Sequence, residues 1–213
     1  DTPEGIAAFE LFTSVYTEYK QNLSFSFINR FRTGQMPLGI QNYTIYNQLA
    51  VFAPEVDGLW GMLPVPGTLK EDGTISRCTA QTVTGCAILG SSKKKKEGWE
   101  FIKWWTDSET QAQYSRELEA IMGESARQPS ANLKAIDKLP WSPEIKSNLL
   151  LQLQEVKAIP EIAGGYYTSR SFDFAFRKVV YDGKDIRETL SSAQEEIDNE
   201  IAEKQRELSR RRR

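Results

Sequence analysis

The stretch GIQNYTIYNQLAVFAPE, residues 39–55, decides how the rest of the chain is read. It closes a short apolar segment, MPLGI, residues 36–40, whose composition predicts a buried strand. Helical spacing then runs from Tyr43 until Pro54 stops it. At the junction sit Asn42, Tyr43 and Thr44, with Tyr46 about one turn further on. Two readings are open. One is a polar turn carrying core aromatics; the other is a rim that holds a polar, ring-shaped ligand.

Composition narrows the chemistry. The chain has 213 residues, 39% hydrophobic and 11% aromatic, enough for one large or two small packed domains. Its 27 basic and 29 acidic residues leave a net charge of -2, so no global field favours nucleic acid or an anionic membrane. The closing run of arginines, residues 210–213, reads as a solvated tail or processed end, with an electrostatic contact site as the alternative. There is no histidine, which removes Ser-His-Asp and Cys-His catalysis and the commonest metal ligand. Two cysteines are too few for a four-cysteine zinc site. Cys78 and Cys86 lie about 26 Å apart if their segment is one strand, so a disulfide requires a turn between them. No apolar run is long enough to span a membrane. The chain opens at Asp1 without methionine, and we expect it to be a piece of a longer protein.

Working outward, the spacing predicts a helix over residues 2–20, with Pro3 in its first turn, and a short helix stopped by Gly34. GLWGMLPVPG, residues 58–67, reads as a strand running into a proline-rich turn, and EDGT, residues 71–74, as a tight turn. TVTGCAILGSS, residues 82–92, reads as a small-residue strand. Two helices follow, one marked by Trp99, Ile102 and Trp105, the other by Tyr114, Leu118 and Ile121. Ser108 and Gln111 suit a capping box for the second, and Gly123 stops it. Later helices are expected over residues 143–159, capped by Ser142, over 171–182, ended by Gly183, and over 185–208. Alternating strands and helices argue for a helix-rich α/β layer.

The lysines and tryptophans of KKKKEGWEFIKWW, residues 93–105, read as a solvated charge run beside packed core aromatics rather than a membrane or nucleic-acid patch. No pair of carboxylates stands isolated as a glycosidase would need. GGYYTSR, residues 164–170, reads as a loop before a helix; its Tyr166, Tyr167 and Arg170 are either a ligand rim or a plain packed loop. ARQPSAN, residues 126–132, adds Arg127 and Gln128 on another loop. Tyrosine faces stack on the apolar face of a pyranose, and amides and guanidinium bond its hydroxyls. Such a site needs no proton shuttle. Trp60 reads as a core residue or a cleft wall.

The segments FRTGQMPLGIQNYTIYNQL (31–49), APEVDGLWGMLPVPG (53–67), SSKKKKEGWEFIKWWTDSETQAQY (91–114), ARQPSAN and GGYYTSRSFDFAFRKVV (164–180) occur in this order. Together they resemble the C-terminal part of extracellular solute-binding proteins of the family-1, sugar-binding type that feed ABC importers, the group of maltose-binding protein. The resemblance covers nearly the whole chain and is specific as a set rather than motif by motif. It implies a periplasmic-binding-protein type II fold: two α/β lobes that close on a ligand in the cleft between them. Residues 1–77 and 124–213 would belong mainly to the second lobe, and 78–123 would cross to the first. The first half of the family's chain is missing from this sequence. The long final helix is therefore expected to lose a partner surface, which could drive self-association.

The resemblance also implies site residues. Tyr43, Thr44 and Tyr46 match the segment that supplies an aromatic sugar contact, and Tyr166, Tyr167 and Arg170 match the loop that closes over the ligand. The aromatic pair is shifted slightly from the maltose-binding pattern. The expected function is non-enzymatic capture of a carbohydrate at Asn42, Tyr43, Thr44, Tyr46, Arg127, Gln128, Tyr166, Tyr167 and Arg170. No cofactor, metal or nucleic acid is implied, and delivery is to an ABC permease from the extracellular face of the cell membrane or the periplasm, as a lipoprotein or secreted protein. Alternatives are a peptide or polyamine ligand on the same fold, or a helical interaction module. Arg127 and Arg170 argue against a polyamine, which needs carboxylates.

Overall fold

The computed structural model describes residues 2–160 and 162–211, with no side-chain description for Arg211. Arg212 and Arg213 of the arginine tail thus lie outside the described residues. The chain is helix-rich, and its sheets among the described residues are small. It divides into two compact units, Ser26–Ile159 and the pair of segments Asp1–Phe25 and Pro160–Arg213. This is a different partition from the lobe assignment that the resemblance implies.

In the unit Ser26–Ile159, helix α2 (Phe27–Arg32) is capped by Ser26 and followed by Gly34 at φ 73°, the stop read from the sequence. Helix α3 (Ile45–Phe52) ends where expected, before a 3-10 turn at Pro54–Val56. Strands β1 (Thr68–Leu69) and β2 (Ile75–Ser76) form an antiparallel hairpin around the EDGT turn, where Asp72 accepts from the Thr74 backbone N–H and hydroxyl. Strand β3 (Thr79–Gln81) pairs in parallel with β4 (Val156–Ala158), with α4 (Lys95–Thr106), α5 (Ser108–Met122), α6 (Leu133–Asp137) and α7 (Pro143–Leu153) between them in sequence. A parallel pair requires such a crossover.

Several expected elements are corrected. MPLGI is not a buried strand: Leu38 is 82% and Ile40 74% exposed, no neighbouring strand pairs with it, and Pro37 lacks a donor. GLWGMLPVPG is irregular, because side-chain amides of α7 replace a ladder. Asn148 donates to the Met62 carbonyl, and Gln152 accepts from the Val65 N–H while donating to the Arg77 carbonyl. Residues 82–92 form no strand; the strand stops at Gln81. α7 ends at Leu153, since Val156–Ala158 are recruited by β3. α5 is capped by Asp107 rather than Ser108; its carboxylate accepts from the N–H groups of Glu109 and Thr110, which holds its pKa below the usual range. The aromatics of α4 are not packed core: Trp99, Phe101 and Trp104 are exposed and no residue of the helix is buried. Cys78 and Cys86 are both free and exposed.

The core of this unit is Tyr46, Ile136, Leu139, Trp141 and Leu149, with Tyr43, Trp60 and Met62 packed against it. Trp60 is thus a half-buried wall of the core, 5.7 Å from the Tyr46 ring.

The other unit is built from α1 (Pro3–Thr17), α8 (Gly165–Asp182) and α9 (Ile186–Arg211). α1 starts as read, with Thr2 as cap and Pro3 in the first turn. Phe9, Ala175 and Val179 are buried, with Phe176, Ile186, Leu190 and Ala193 against them. Along α9, Ile197 and Ile201 are half-buried and Leu208 is exposed. α8 begins six residues earlier than the sequence suggests, at Gly165 rather than Ser171. Gly164 sits at φ 82°, and a Cβ there would lie 3.3 Å from the Ile201 Cα, so both conformation and space demand glycine. No described helix is long and apolar enough to cross a membrane.

Candidate functional site

The turn at residues 41–44 and the loop at 124–132 are about eighty positions apart in sequence, yet the fold joins them. The Tyr43 hydroxyl donates to the Ser130 carbonyl at 2.7 Å. The Asn47 amide donates to the carbonyls of Ser125 and Arg127, each at 2.8 Å. The Tyr46 hydroxyl donates to the Glu124 carboxylate at 2.8 Å. Local sequence prepares both sides. Asn42, Tyr43 and Thr44 carbonyls take the first N–H groups of α3 in tight 3-10-type bonds. Gly123 at φ 81° reverses the chain out of α5, and Asn132 caps α6.

At the centre of this junction is Arg127, 3% exposed. Its guanidinium forks onto Glu119 at 2.8 and 2.5 Å. The same group lies 5.0 Å from the centroid of the Tyr46 ring and 4.4 Å from that of Trp141. Burial works to lower the Arg127 pKa, but the bond and charge of Glu119, with Tyr46 and Glu124, outweigh it and the pKa is raised. Burial and the bond to Glu124 push the Tyr46 hydroxyl up to about 12. Burial also raises Tyr43. The Trp141 indole N–H is buried without a hydrogen-bond partner among the described residues.

This corrects part of the expected rim. Arg127 and Tyr46 are buried and their polar ends are engaged inside the protein, so neither presents itself to a ligand. Tyr43 is half-buried, with its hydroxyl engaged. What the junction leaves outward are Asn42 and Thr44, both exposed, and Gln128, half-buried, whose backbone N–H is held by the Ser115 hydroxyl. The Thr44 hydroxyl does not cap α3.

Tyr166, Tyr167 and Arg170 belong to the other unit, in the opening turns of α8 rather than a loop. Tyr166 and Arg170 are exposed and Tyr167 is half-buried. The two tyrosine rings meet edge to face at 6.1 Å, and Arg170 lies 5.4 Å from the Phe174 centroid. A shallow groove of about 260 Å³ runs between α8 and α9, lined by Ser171, Phe174, Lys178 and Glu196 among others.

Sequence reasoning missed Glu119, Trp141 and Ser130, which organise the junction. A surface-type glutamate on an amphipathic helix carries no signal of a buried partner eight residues later. No cluster of cysteines and carboxylates able to hold a metal occurs among the described residues. No protein-family model matches the chain, and no curated protein matches it.

Proposed function

We propose that this chain is the carbohydrate-capturing part of a solute-binding protein that serves an ABC importer. In this reading it contributes mainly the second lobe of a periplasmic-binding-protein type II fold. The observation that carries the reading is the junction of the α3 turn with the loop at 124–132. It brings the segment that carries Asn42 and Thr44 to the loop that carries Gln128, with Tyr43, Tyr46 and Trp141 packed in the core at the same junction. Neutral donors and acceptors of this kind match sugar hydroxyls, and no ionised partner is needed. Tyr166, Tyr167 and Arg170, on the other unit, are a separate set of stacking and forked-donor groups. Capture is non-enzymatic, and the loaded protein delivers its sugar to a membrane permease.

The test is calorimetric titration of this chain with a panel of neutral linear oligosaccharides. Saturable binding of at least one is expected, weakened about tenfold, or roughly 1.4 kcal/mol, by Gln128→Ala or Asn42→Ala. Binding of peptides or polyamines in place of sugars would keep the fold and change the ligand class. No saturable heat with any small solute would contradict the reading.

A further inference from the structure

Helix α4 meets its own unit along one side only. A Cβ at Gly98 would lie 3.4 Å from the Ile88 side chain, and the half-buried Trp105 meets the Tyr114 ring edge-on at 5.1 Å. On the far side, Trp99 is 55% and Trp104 57% exposed. Exposed aromatic surface rimmed by charged residues marks an interaction site.

The charges between those tryptophans have an order. Lys96, Glu100 and Lys103 of α4, and Asp107, which follows its last turn and also caps α5 through one carboxylate oxygen, recur at i, i+4, i+7 and i+11, which places them on one stripe. Trp99 falls on one flank of the stripe and Trp104 on the other. All four charged residues are exposed, and within the helix Lys103 meets Glu100 at 2.8 Å. Along the chain the stripe reads plus, minus, plus, minus. Read backwards, every sign is reversed. Two copies laid antiparallel therefore bring Lys96 against Asp107 and Glu100 against Lys103, each twice by symmetry. Two copies laid parallel in register bring like against like. The pattern thus complements itself in one orientation only.

We propose that α4 is the contact face of a weak antiparallel homodimer, in which the two tryptophans of each copy are covered by the other. The size of the patch sets its strength. Four tryptophans, each just over half exposed, supply about 500 Å² of coverable surface, short of the roughly 1,200 Å² typical of stable complexes. The association is therefore transient and concentration-dependent. It does not rest on the sugar-binding reading.

Sedimentation velocity over rising protein concentration tests it, with two charge-reversal variants, E100K and K103E. Both positions are exposed, and circular dichroism checks that each variant keeps its helices. Wild-type chain is expected to sediment faster as concentration rises, with a blue shift in tryptophan emission. Each variant alone sets like charges opposite one another and should associate at least tenfold more weakly. An equimolar mixture of the two restores opposite charges at every position and should recover wild-type association. A chain monomeric at every concentration would overturn the proposal and leave the face to another occupant. Variants that associate as wild type does, or a mixture that does not recover, would overturn it as well.

Discussion

Two regions of this chain carry the same kinds of residue and put them to opposite use. Around Arg127, Tyr46, Trp141 and the arginine itself are buried and Tyr43 is half-buried. The guanidinium and the two phenol hydroxyls are matched to Glu119, Glu124 and the Ser130 carbonyl, while the Trp141 N–H has no partner among the described residues. In the first turns of α8, two tyrosines and Arg170 stand largely in solvent. The difference is the supply of partners. A guanidinium leaves water only where a carboxylate and further contacts replace its hydration. Glu119 and the faces of Tyr46 and Trp141 do so for Arg127, whereas the contact that Arg170 makes among the described residues is with the Phe174 ring. Residue type alone therefore does not tell a clamp from a rim.

The sharpest way to break this contrast is to truncate the two arginines in turn. Arg127→Ala leaves Glu119 facing a desolvated gap and should cost about 3–5 kcal/mol in chemical denaturation. A loss under about 1 kcal/mol would mean that the clamp is ornamental. Tyr46→Phe removes a hydroxyl bonded to a carboxylate and should cost about 1.5 kcal/mol. Tyr43→Phe removes a neutral bond to Ser130 and should cost about 1 kcal/mol, with the loop at 124–132 exchanging its amide hydrogens faster. At the small end, Arg170→Ala and Tyr166→Ala should each move stability by less than about 0.5 kcal/mol.

The tyrosines also set a pH dependence. The Tyr46 hydroxyl rises from an ordinary 10.0 to about 12 in the folded chain. The unfolded chain therefore loses this proton first as pH rises, and its loss favours unfolding. The contribution is complete below pH 10.0 and disappears as pH climbs to about 12. Alkaline unfolding of Tyr46→Phe should show a shallower fall across that window than wild type. An identical slope would show that the hydroxyl is not held as described.

Local signals carried much of the helical structure into view. Pro3 with Thr2, Gly34, Gly123, Ser142 and Gly183 mark helix ends that the fold keeps, because caps and left-handed stops act over one turn. The strands were largely illegible. Residues 58–67 look like a strand by composition, but they are tied by Asn148 and Gln152, whose relevance depends on contacts between distant positions. Val156–Ala158 looked like the end of a helix until β3 claimed it. At the candidate site, Asn42, Thr44 and Gln128 were readable as polar residues at chain reversals. The burial of Arg127 was not, since it depends on Glu119, Tyr46 and Trp141 meeting in three dimensions.

The most direct test of the account is a double-mutant cycle on Arg127→Met and Glu119→Leu, followed by denaturation. If a buried ion pair fastens α5 to the loop at 124–132, beneath the Tyr46 ring of α3, either single change strands a charge and the pair together costs far less than the sum, with a coupling of about 1.5–3 kcal/mol. Losses that add to within about 0.5 kcal/mol would show two independent surface residues and contradict it.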